Sequence, residues 1–205
     1  NGYYDAPHSG RGDCTFTLSM ANRSATTVAM CGIFGFVAAP GTAFNPGRIR
    51  PFLKDLFRLS EPRGQEASGL ALAVNGEIRV FKRGLAPSAM LASDAYGHFL
   101  DQNLADVVAV DGKLDKALAL IGHCRMVTNG AEIVPGNNHP ILTAQTVGIH
   151  NGIITNDEDL WNAHPNLNRD HETDSEILFR LIDQHTSARG ALTTGITDTF
   201  AELQG

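Results

Sequence analysis

The sequence predicts an α+β fold with layered antiparallel sheets. Residues 70–81 alternate around an Asn-Gly pair as a β-hairpin does, and apolar residues over 46–59 recur at helical spacing. Strands and helices do not alternate as repeated βαβ units, which argues against a doubly wound parallel sheet. A chain of 205 residues is long enough for one substantial domain and too short for two large ones.

The composition is that of an ordinary globular protein, with 42% hydrophobic and 19% charged residues. A formal net charge of −6 without a basic cluster argues against a nucleic acid or an anionic membrane as partner. No apolar run approaches the roughly 20 residues that a membrane helix needs. The three cysteines form neither a disulfide framework nor a CxxC pair, so we expect a reducing, cytoplasmic setting.

Residues 1–30 are polar and turn-rich, unlike the rest of the chain. They contain Asn-Gly, Ser-Gly and Arg-Gly pairs but lack the apolar core of a secretory signal. The chain opens on Asn1, and Met30 stands immediately before Cys31. We therefore expect residues 1–30 to be a disordered leader, a propeptide or translated upstream sequence, with the domain over 31–205.

The run from Cys31 to Ala38 is apolar, β-branched and aromatic, and it predicts a buried first strand. A free cysteine at such a place is most often a small buried hydrophobe. If the chain is cut after Met30, however, the thiol of Cys31 stands beside a free α-amine. An α-amine titrates at roughly 7.7–8.0 and can act as base for a neighbouring nucleophile, so Cys31 is a candidate catalytic residue.

A helix is expected from Pro46 to about Leu59, ended by Pro62. Asn45 followed by a proline is typical of a helix N-cap and first turn. The apolar face of this helix would consist of Ile49, Phe52, Leu53, Leu56, Phe57 and Leu59.

A polar loop over residues 63–69 comes next, and loops between well-patterned elements often carry function. Arg63, which precedes Gly64, is either an ordinary surface arginine or a cation that lowers the pKa of a nearby thiol. The hairpin then pairs Leu70–Val74 with Ile78–Phe81 across the Asn-Gly turn.

The middle of the chain predicts short helices over 86–96 and 99–108, then a strand over 117–121. This strand leads into Gly122-His123-Cys124-Arg125, whose polar side chains would project into a cleft. Arg125 either forms a structural ion pair or binds a substrate carboxylate through two parallel hydrogen bonds. Both interpretations are open on these residues alone.

A turn at His150-Asn151-Gly152 follows a short strand over 147–149. It is either an ordinary turn or an oxyanion site, in which the Asn151 amide and the Gly152 N–H stabilise charge on a carbonyl under attack. We expect Asp157 to cap a helix. Asp174 either caps the next helix, with its apolar face over 177–182, or binds a substrate ammonium group.

Four residues that can ligate metals, His123, Cys124, His139 and His150, lie in the second half of the chain. Their spacing fits no recognised zinc pattern. We therefore expect neither a metal nor another cofactor.

Taken together, these motifs resemble the glutaminase domain of class II glutamine amidotransferases, which belong to the N-terminal-nucleophile hydrolase superfamily. The resemblance runs from Cys31 to about Gly205 and includes motifs found in glucosamine-6-phosphate synthases and amidophosphoribosyltransferases. It implies an αββα sandwich of two stacked antiparallel sheets between helix layers. The matching segments are Cys31-Gly32-Ile33-Phe34-Gly35, residues 63–69, Gly122-His123-Cys124-Arg125 with Thr128, Asn138-His139-Pro140, His150-Asn151-Gly152 and Thr173-Asp174-Ser175-Glu176.

The resemblance also implies a role for each candidate residue. Cys31 would attack the side-chain amide of glutamine, supported by Arg63 and Gly64. Asn151 and Gly152 would hold the oxyanion, and the released ammonia would pass to an acceptor. The glutamine itself would be bound by Arg125 at its α-carboxylate, by Asp174 at its α-ammonium, and by Thr128 and His150.

Three departures and two alternatives accompany the resemblance. Met126 replaces a usual aromatic residue and Asn129 also differs, which bears on glutamine affinity. The chain ends soon after the Asp174 helix, so we expect a domain incomplete on its C-terminal side, with an acceptor domain beyond it or in a partner. If Cys31 is never exposed as a terminus, the chain would be a silent glutamine-binding or regulatory module. Another amidase is the third hypothesis, although Arg125 with Asp174 suits a free amino acid.

Overall fold

The structure, a computed structural model, describes residues 31–205 apart from positions 75, 106, 108–110 and 128–129. The predictions for residues 1–30, for Asn75 in the hairpin turn and for Thr128 lie outside this part of the chain. The described residues form antiparallel sheets and packed helices, which confirms the predicted α+β class. None of the described helices is both long and apolar enough to cross a lipid bilayer.

The larger sheet has four antiparallel strands in the order β1-β4-β2-β3. These strands are β1 Gly32–Ala38, β2 Ala67–Val74, β3 Glu77–Arg83 and β4 Leu118–Arg125. In the register around β4, Gly32 lies opposite Cys124 on one side and Ala67 lies opposite Arg125 on the other. The start of β1 therefore meets the end of β4, and this brings Cys31 close to Arg125.

The predicted hairpin is confirmed, but β2 begins at Ala67 rather than Leu70. Ser68 and Gly69 already pair with both neighbouring strands, which shortens the predicted loop. Gly69 also allows a close approach, because a Cβ atom there would lie 2.4 Å from the carbonyl oxygen of His139. The interior strand β4 continues through residues 122–125, so that motif belongs to the strand itself.

The first helix, α1 Pro46–Ser60, lies where the sequence predicts it. Asn45 caps it, since its side chain accepts a hydrogen bond from the Gly47 N–H at 2.8 Å. A 3-10 turn, Glu61–Arg63, follows in place of a simple stop at Pro62.

The next two helices are α2 Pro87–Leu91 and α3 Asp94–Leu104. The break between them falls at Ser93 and not near residue 98 as predicted, because the Ser93 side chain accepts the Tyr96 N–H at 3.3 Å and caps α3. Together with α1 they pack on one face of the larger sheet. The largest fully buried side chains of this first core are Leu53, Phe57, Leu70, Leu72, Met90, Leu100, Leu118 and Leu120.

A second core forms around the C-terminal helices. Its elements are the two-stranded sheet β5 Ile141–Leu142 with β6 Val147–Gly148, and the helices α4 Asp157–Ala163, α5 Ser175–Arg189 and α6 Leu192–Glu202. The predicted apolar face of α5 is confirmed, since it is buried in this core. Its buried residues include Ile177, Leu178, Leu181 and Ile182.

Two features of this region differ from expectation. Asp157 is the first residue of α4, the N-cap position falls on Asn156, and no side chain of the described residues caps the helix. Helix α6 was not predicted, because its threonine-rich sequence has weak helix propensity. Helix α6 nevertheless packs closely on α5: a Cβ atom at Gly195 would lie 2.3 Å from the Thr186 hydroxyl.

Candidate active site

A small pocket opens where the end of β4 meets the start of α5. Five of the residues that the sequence singled out for the site line it: Cys31, Arg125, His150, Gly152 and Asp174. Its other lining residues are His123, Met126, His139, Thr173 and Ser175. The two cores therefore each contribute one wall of this Cys31 pocket.

Cys31 is half-buried, and main-chain atoms of Met126 fix its thiol. The Met126 N–H donates to the Cys31 Sγ at 3.2 Å, and the thiol faces the Met126 carbonyl oxygen at 3.6 Å. Burial raises the pKa of the Cys31 thiol, while the Met126 N–H and the charge of Arg125 act to lower it. In the absence of substrate the protonated thiol is therefore the favoured form at neutral pH.

Arg63 and Gly64 both lie outside the pocket lining, and Arg63 contacts Cys31. Arg63 Nε donates to the Cys31 carbonyl oxygen at 3.2 Å, so its contact is with the main chain and not with the thiol. The cation whose charge lowers the thiol pKa is Arg125. Gly64 lies against the end of β4, where a Cβ atom would come within 2.4 Å of the Cys124 carbonyl oxygen.

Arg125 is the last residue of β4 and is only 4% exposed. Its guanidinium donates from Nη1 to the Asn138 side-chain oxygen at 2.7 Å and from Nη2 to the Gly130 carbonyl at 2.9 Å. These neutral acceptors orient the plane of the guanidinium at the pocket wall. A planar fork held in this way is suited to a carboxylate.

Asp174 does not cap α5 as one of the two interpretations expected. It occupies the N-cap position with a helical backbone, but no cap hydrogen bond forms among the described residues. Its buried carboxylate instead accepts the Ile154 N–H at 2.7 Å through Oδ2. The hydroxyl of Ser175 lies 3.4 Å from its Oδ1. Asp174 therefore ties the segment after the His150 turn to the start of α5.

The turn at residues 150–152 forms hydrogen bonds both with β4 and with the start of α5. His150 Nδ1 lies 3.0 Å from the Ser175 hydroxyl, and the His150 carbonyl oxygen lies 3.2 Å from His123 Nε2. Gly152 lies at the pocket, but the half-buried Asn151 is not among its lining residues. Of the two predicted oxyanion donors, the structure thus places Gly152 at the pocket and leaves the Asn151 side chain outside its lining.

A stacked pair of histidines, His123 and His139, forms part of the pocket wall. From the sequence, their side chains were considered as possible metal ligands. The His123 and His139 rings lie 4.4 Å apart between centroids, with 24° between their planes. Burial lowers the pKa of His123 to about 4 and that of His139 well below its ordinary value. Both rings are therefore neutral at pH 7. Because a carbonyl oxygen can only accept, His123 carries its proton on Nε2 and donates to His150.

The segment that carries His139 forms hydrogen bonds with a lysine of the larger sheet. Lys82 on β3 donates from Nζ to the carbonyl oxygens of Asn138 and Pro140, at 2.7 and 3.0 Å. Burial and the charge of Arg125 lower the pKa of Lys82 to about 8. Within the described residues no group of three His, Cys, Asp or Glu side chains is arranged to hold a metal ion. Hydrogen bonds of side chains with the main chain and with one another therefore hold the pocket together.

The chain was compared with known proteins and protein families. A scan against models of protein families found no match. Similar curated proteins include the glutamine–fructose-6-phosphate aminotransferases (isomerizing) of Corynebacterium glutamicum, 29% identical over 181 residues, and of Pseudomonas aeruginosa, 31% identical over 180 residues. Each match covers 86% of this chain and 26% of the relative. The chain therefore spans about a quarter of the length of these relatives.

Solved structures with the same fold include the glutamine phosphoribosylpyrophosphate amidotransferase of B. subtilis, complexed with ADP and GMP. It matches 84% of this chain and 33% of its own, with a TM-score of 0.55 and 24% identity. A structure of the allosteric regulatory enzyme of purine biosynthesis matches with a TM-score of 0.51 and 22% identity.

The fold is therefore the one that these solved structures have, and the predicted αββα sandwich is confirmed. Within that fold, the resemblance to the glutaminase domain of class II glutamine amidotransferases is confirmed over 86% of the chain.

Proposed function

We propose that this chain hydrolyses the side-chain amide of glutamine, with Cys31 as nucleophile, and supplies the ammonia to an acceptor domain. One observation carries the proposal: a single pocket brings together Cys31, Arg125 and Asp174 from three distant parts of the sequence. A nucleophile, a carboxylate fork and an ammonium partner are what the hydrolysis of free glutamine requires.

The Cys31 α-amine is the proposed base. Because burial raises the pKa of the thiol, the thiol needs a proton acceptor before it can attack. The amine takes the thiol proton, and sulfur bonds to the amide carbon. The amine then gives the proton to the leaving nitrogen, so that ammonia departs and a thioester remains. Water attacks the thioester, which releases glutamate and restores the thiol.

The transition-state charge would fall on the amide oxygen. We assign its stabilisation to the Gly152 N–H and the Asn151 side-chain amide, as the family resemblance implies. Gly152 lies at the pocket, whereas Asn151 has to turn toward it when substrate binds. The hydrogen bond from His123 to the His150 carbonyl supports this turn from the sheet side.

The two charged ends of glutamine select a free amino acid over other amides. Arg125 would bind the α-carboxylate, and Asp174 would bind the α-ammonium, with His150 and Thr128 beside them. The Arg125 guanidinium already has its plane fixed by Asn138 and Gly130, so little side-chain freedom is lost on binding.

The ammonia acceptor lies outside the part of the relatives that this chain matches. Because the chain covers 26% of the length of the aminotransferases it resembles, we propose an acceptor domain that follows it or belongs to a partner. Free thiols at Cys31 and Cys124 are consistent with a reducing, cytoplasmic setting.

The state of the N-terminus provides the test. The protein isolated from its native host should have the mass of a chain that begins at Cys31. That protein should release ammonia and glutamate from glutamine, and should leave propionamide, which lacks both charges, nearly untouched.

The chain that begins at Asn1 is the matched control, because its Cys31 amine is acylated. It should bind glutamine without hydrolysing it, which is the silent-module alternative. Equal turnover by both chains would contradict the amine as base, and equal turnover of propionamide would contradict the roles of Arg125 and Asp174.

A further inference from the structure

A second cavity, of about 280 Å³, lies between α1 and the α2–α3 pair. It shares no lining residue with the Cys31 pocket. We call it the α1–α3 cleft, and its lining includes Arg50, Lys54 and Arg58 from α1 and Leu91, Tyr96 and Leu100 from the opposite side. The proposal about this cleft is independent of the proposed glutamine hydrolysis.

The α1 side of the cleft is positively charged in a chain whose net charge is −6. Arg50, Lys54 and Arg58 follow one another at intervals of four, so they share one helix face and repel one another. Arg50 forms an ion pair with Asp101. Among the described residues, neither Lys54 nor Arg58 has an ion-pair partner. A bound anion would relieve this repulsion.

On the opposite side of the cleft, Tyr96 carries a buried hydroxyl. Tyr96 is only 6% exposed, and its hydroxyl oxygen is buried with no hydrogen-bond partner in the described part of the chain. Burial raises the pKa of Tyr96 and the charge of Arg50 acts to lower it, so the neutral hydroxyl lies within the field of that arginine. A buried hydroxyl without an acceptor destabilises a protein, and such groups call for an explanation such as a bound molecule.

The Tyr96 ring cannot easily swing away to find water. It packs edge-on against Phe57 at 6.3 Å and against Phe81 at 5.9 Å between ring centroids. The hydroxyl is thus held in place as a donor. Leu91 and Leu100 add apolar surface beside it.

From these features we propose that the α1–α3 cleft binds a small organic anion. Its phosphate or carboxylate group would contact Lys54 and Arg58 and accept the Tyr96 hydroxyl, and its apolar body would lie against Leu91 and Leu100. The cleft has room for such a molecule, since its volume is close to the lower end of ligand pockets, about 300 Å³.

Calorimetric titration of the full chain with two matched probes tests the proposal. Phenyl phosphate and benzoate distinguish a phosphate from a carboxylate, and inorganic phosphate lacks the apolar body. We expect one of the two aromatic anions to bind at least about tenfold more tightly than inorganic phosphate, with an affinity that falls as salt is added. If neither aromatic anion binds at concentrations up to about 10 mM, the proposal is overturned.

Variants locate the binding. The double variant Lys54→Ala with Arg58→Ala should weaken it by about tenfold or more. Gly97 also lines the cleft, and a Cβ atom there would meet nothing within 4 Å, so the leucine side chain of Gly97→Leu should block binding. Arg48→Ala is the control, because this arginine lies on the same helix but outside the cleft lining. Equal loss in the control, or none in the double variant, would contradict the assignment.

Tyr96→Phe separates a ligand-binding hydroxyl from a structural one. If the hydroxyl awaits a ligand, its removal raises the Tm of the free protein and weakens binding of the aromatic anion. If Tm falls, the hydroxyl has a structural partner and the inference fails, whatever the variant does to binding.

Discussion

The two walls of the Cys31 pocket are built in different ways. On the sheet wall, Cys31, His123 and Arg125 lie at the ends of β1 and β4, whose main chains are fixed by continuous ladder pairing. On the turn wall, residues 150–154 have no such ladder. Single hydrogen bonds hold them in place: His123 donates to the His150 carbonyl, the His150 ring pairs with the Ser175 hydroxyl, and Asp174 accepts from the Ile154 N–H.

This difference predicts which substitutions affect activity alone and which also affect the stability of the fold. A side chain on the sheet wall can change without moving its backbone, because the backbone hydrogen bonds are made elsewhere. A side chain on the turn wall both holds the loop and faces the substrate. Substitutions that remove such a hydrogen bond should therefore alter stability and activity together, whereas loss of the Cys31 thiol should alter activity alone.

The largest expected effect comes from Cys31→Ala on the sheet wall. Glutamine hydrolysis should fall by at least about 10³-fold because the nucleophile is gone. Glutamine binding should persist, and Tm should change little because the pairing of β1 with β4 is untouched. Steady-state kinetics, calorimetry and thermal unfolding measure the three. Turnover at the parent rate would remove Cys31 from the mechanism.

Asp174 tests the turn wall with a matched pair of variants. Asp174→Ala leaves the buried Ile154 N–H without its acceptor and should cost about 1–3 kcal/mol of unfolding free energy, together with weaker glutamine binding. Asp174→Asn keeps an acceptor oxygen but removes the charge, so KM should rise while stability stays near the parent value. If both variants are equally destabilised, Asp174 has no separable binding role.

His123 links the two walls, and its effect should appear in acid. Its pKa is about 4 in the folded protein against an ordinary 6.5, so the unfolded chain binds more protons between these values. Stability is therefore lost as pH falls through this window, by roughly 2 kcal/mol from pH 7 to pH 5.

His123→Gln supplies the control for that loss. The glutamine amide can still donate to the His150 carbonyl, but it does not titrate, so the unfolding free energy of the variant should depend less on pH. His139 is also neutral and buried, and it retains its own share of the dependence. Urea unfolding at pH 5 and at pH 7 measures the difference in unfolding free energy between the two pH values. If this difference is the same in the variant and the parent, His123 does not have the proposed role.

The smallest expected effect is that of Arg125→Lys on the sheet wall. An ammonium group cannot reproduce the planar fork, so KM for glutamine should rise about tenfold with kcat nearly unchanged. An unchanged KM would refute the carboxylate role, and a large fall in Tm would show that the sheet wall also depends on its side chains.

Local patterns in the sequence predicted several elements of the fold well. The Asn45 cap, the hairpin and the buried face of α5 each depend on neighbouring residues, and all three appear in the structure. Helix α6 was missed because its threonines and Gly195 carry little local signal, and its contacts with α5 decide its conformation.

The turn wall depends on partners far apart in the chain. Asp174 resembled an N-cap because its acceptor role involves Ile154, twenty residues earlier. The stacking of His123 on His139 depends on how the segment after β4 folds back, which no spacing pattern encodes. The position of Asn151 beside the pocket, but outside its lining, follows from the same long-range geometry.

The pairing of β1 with β4 can form only after a delay during protein synthesis. The thiol of Cys31 meets its main-chain partner at Met126, 95 residues later in the chain. At about 5–20 residues per second, a ribosome needs roughly 5–20 seconds to reach that partner. During this interval the peptide bond before Cys31 is on an unpaired segment, within reach of any enzyme that trims the nascent chain. Once β1 has paired with β4, Cys31 is half-buried next to Met126.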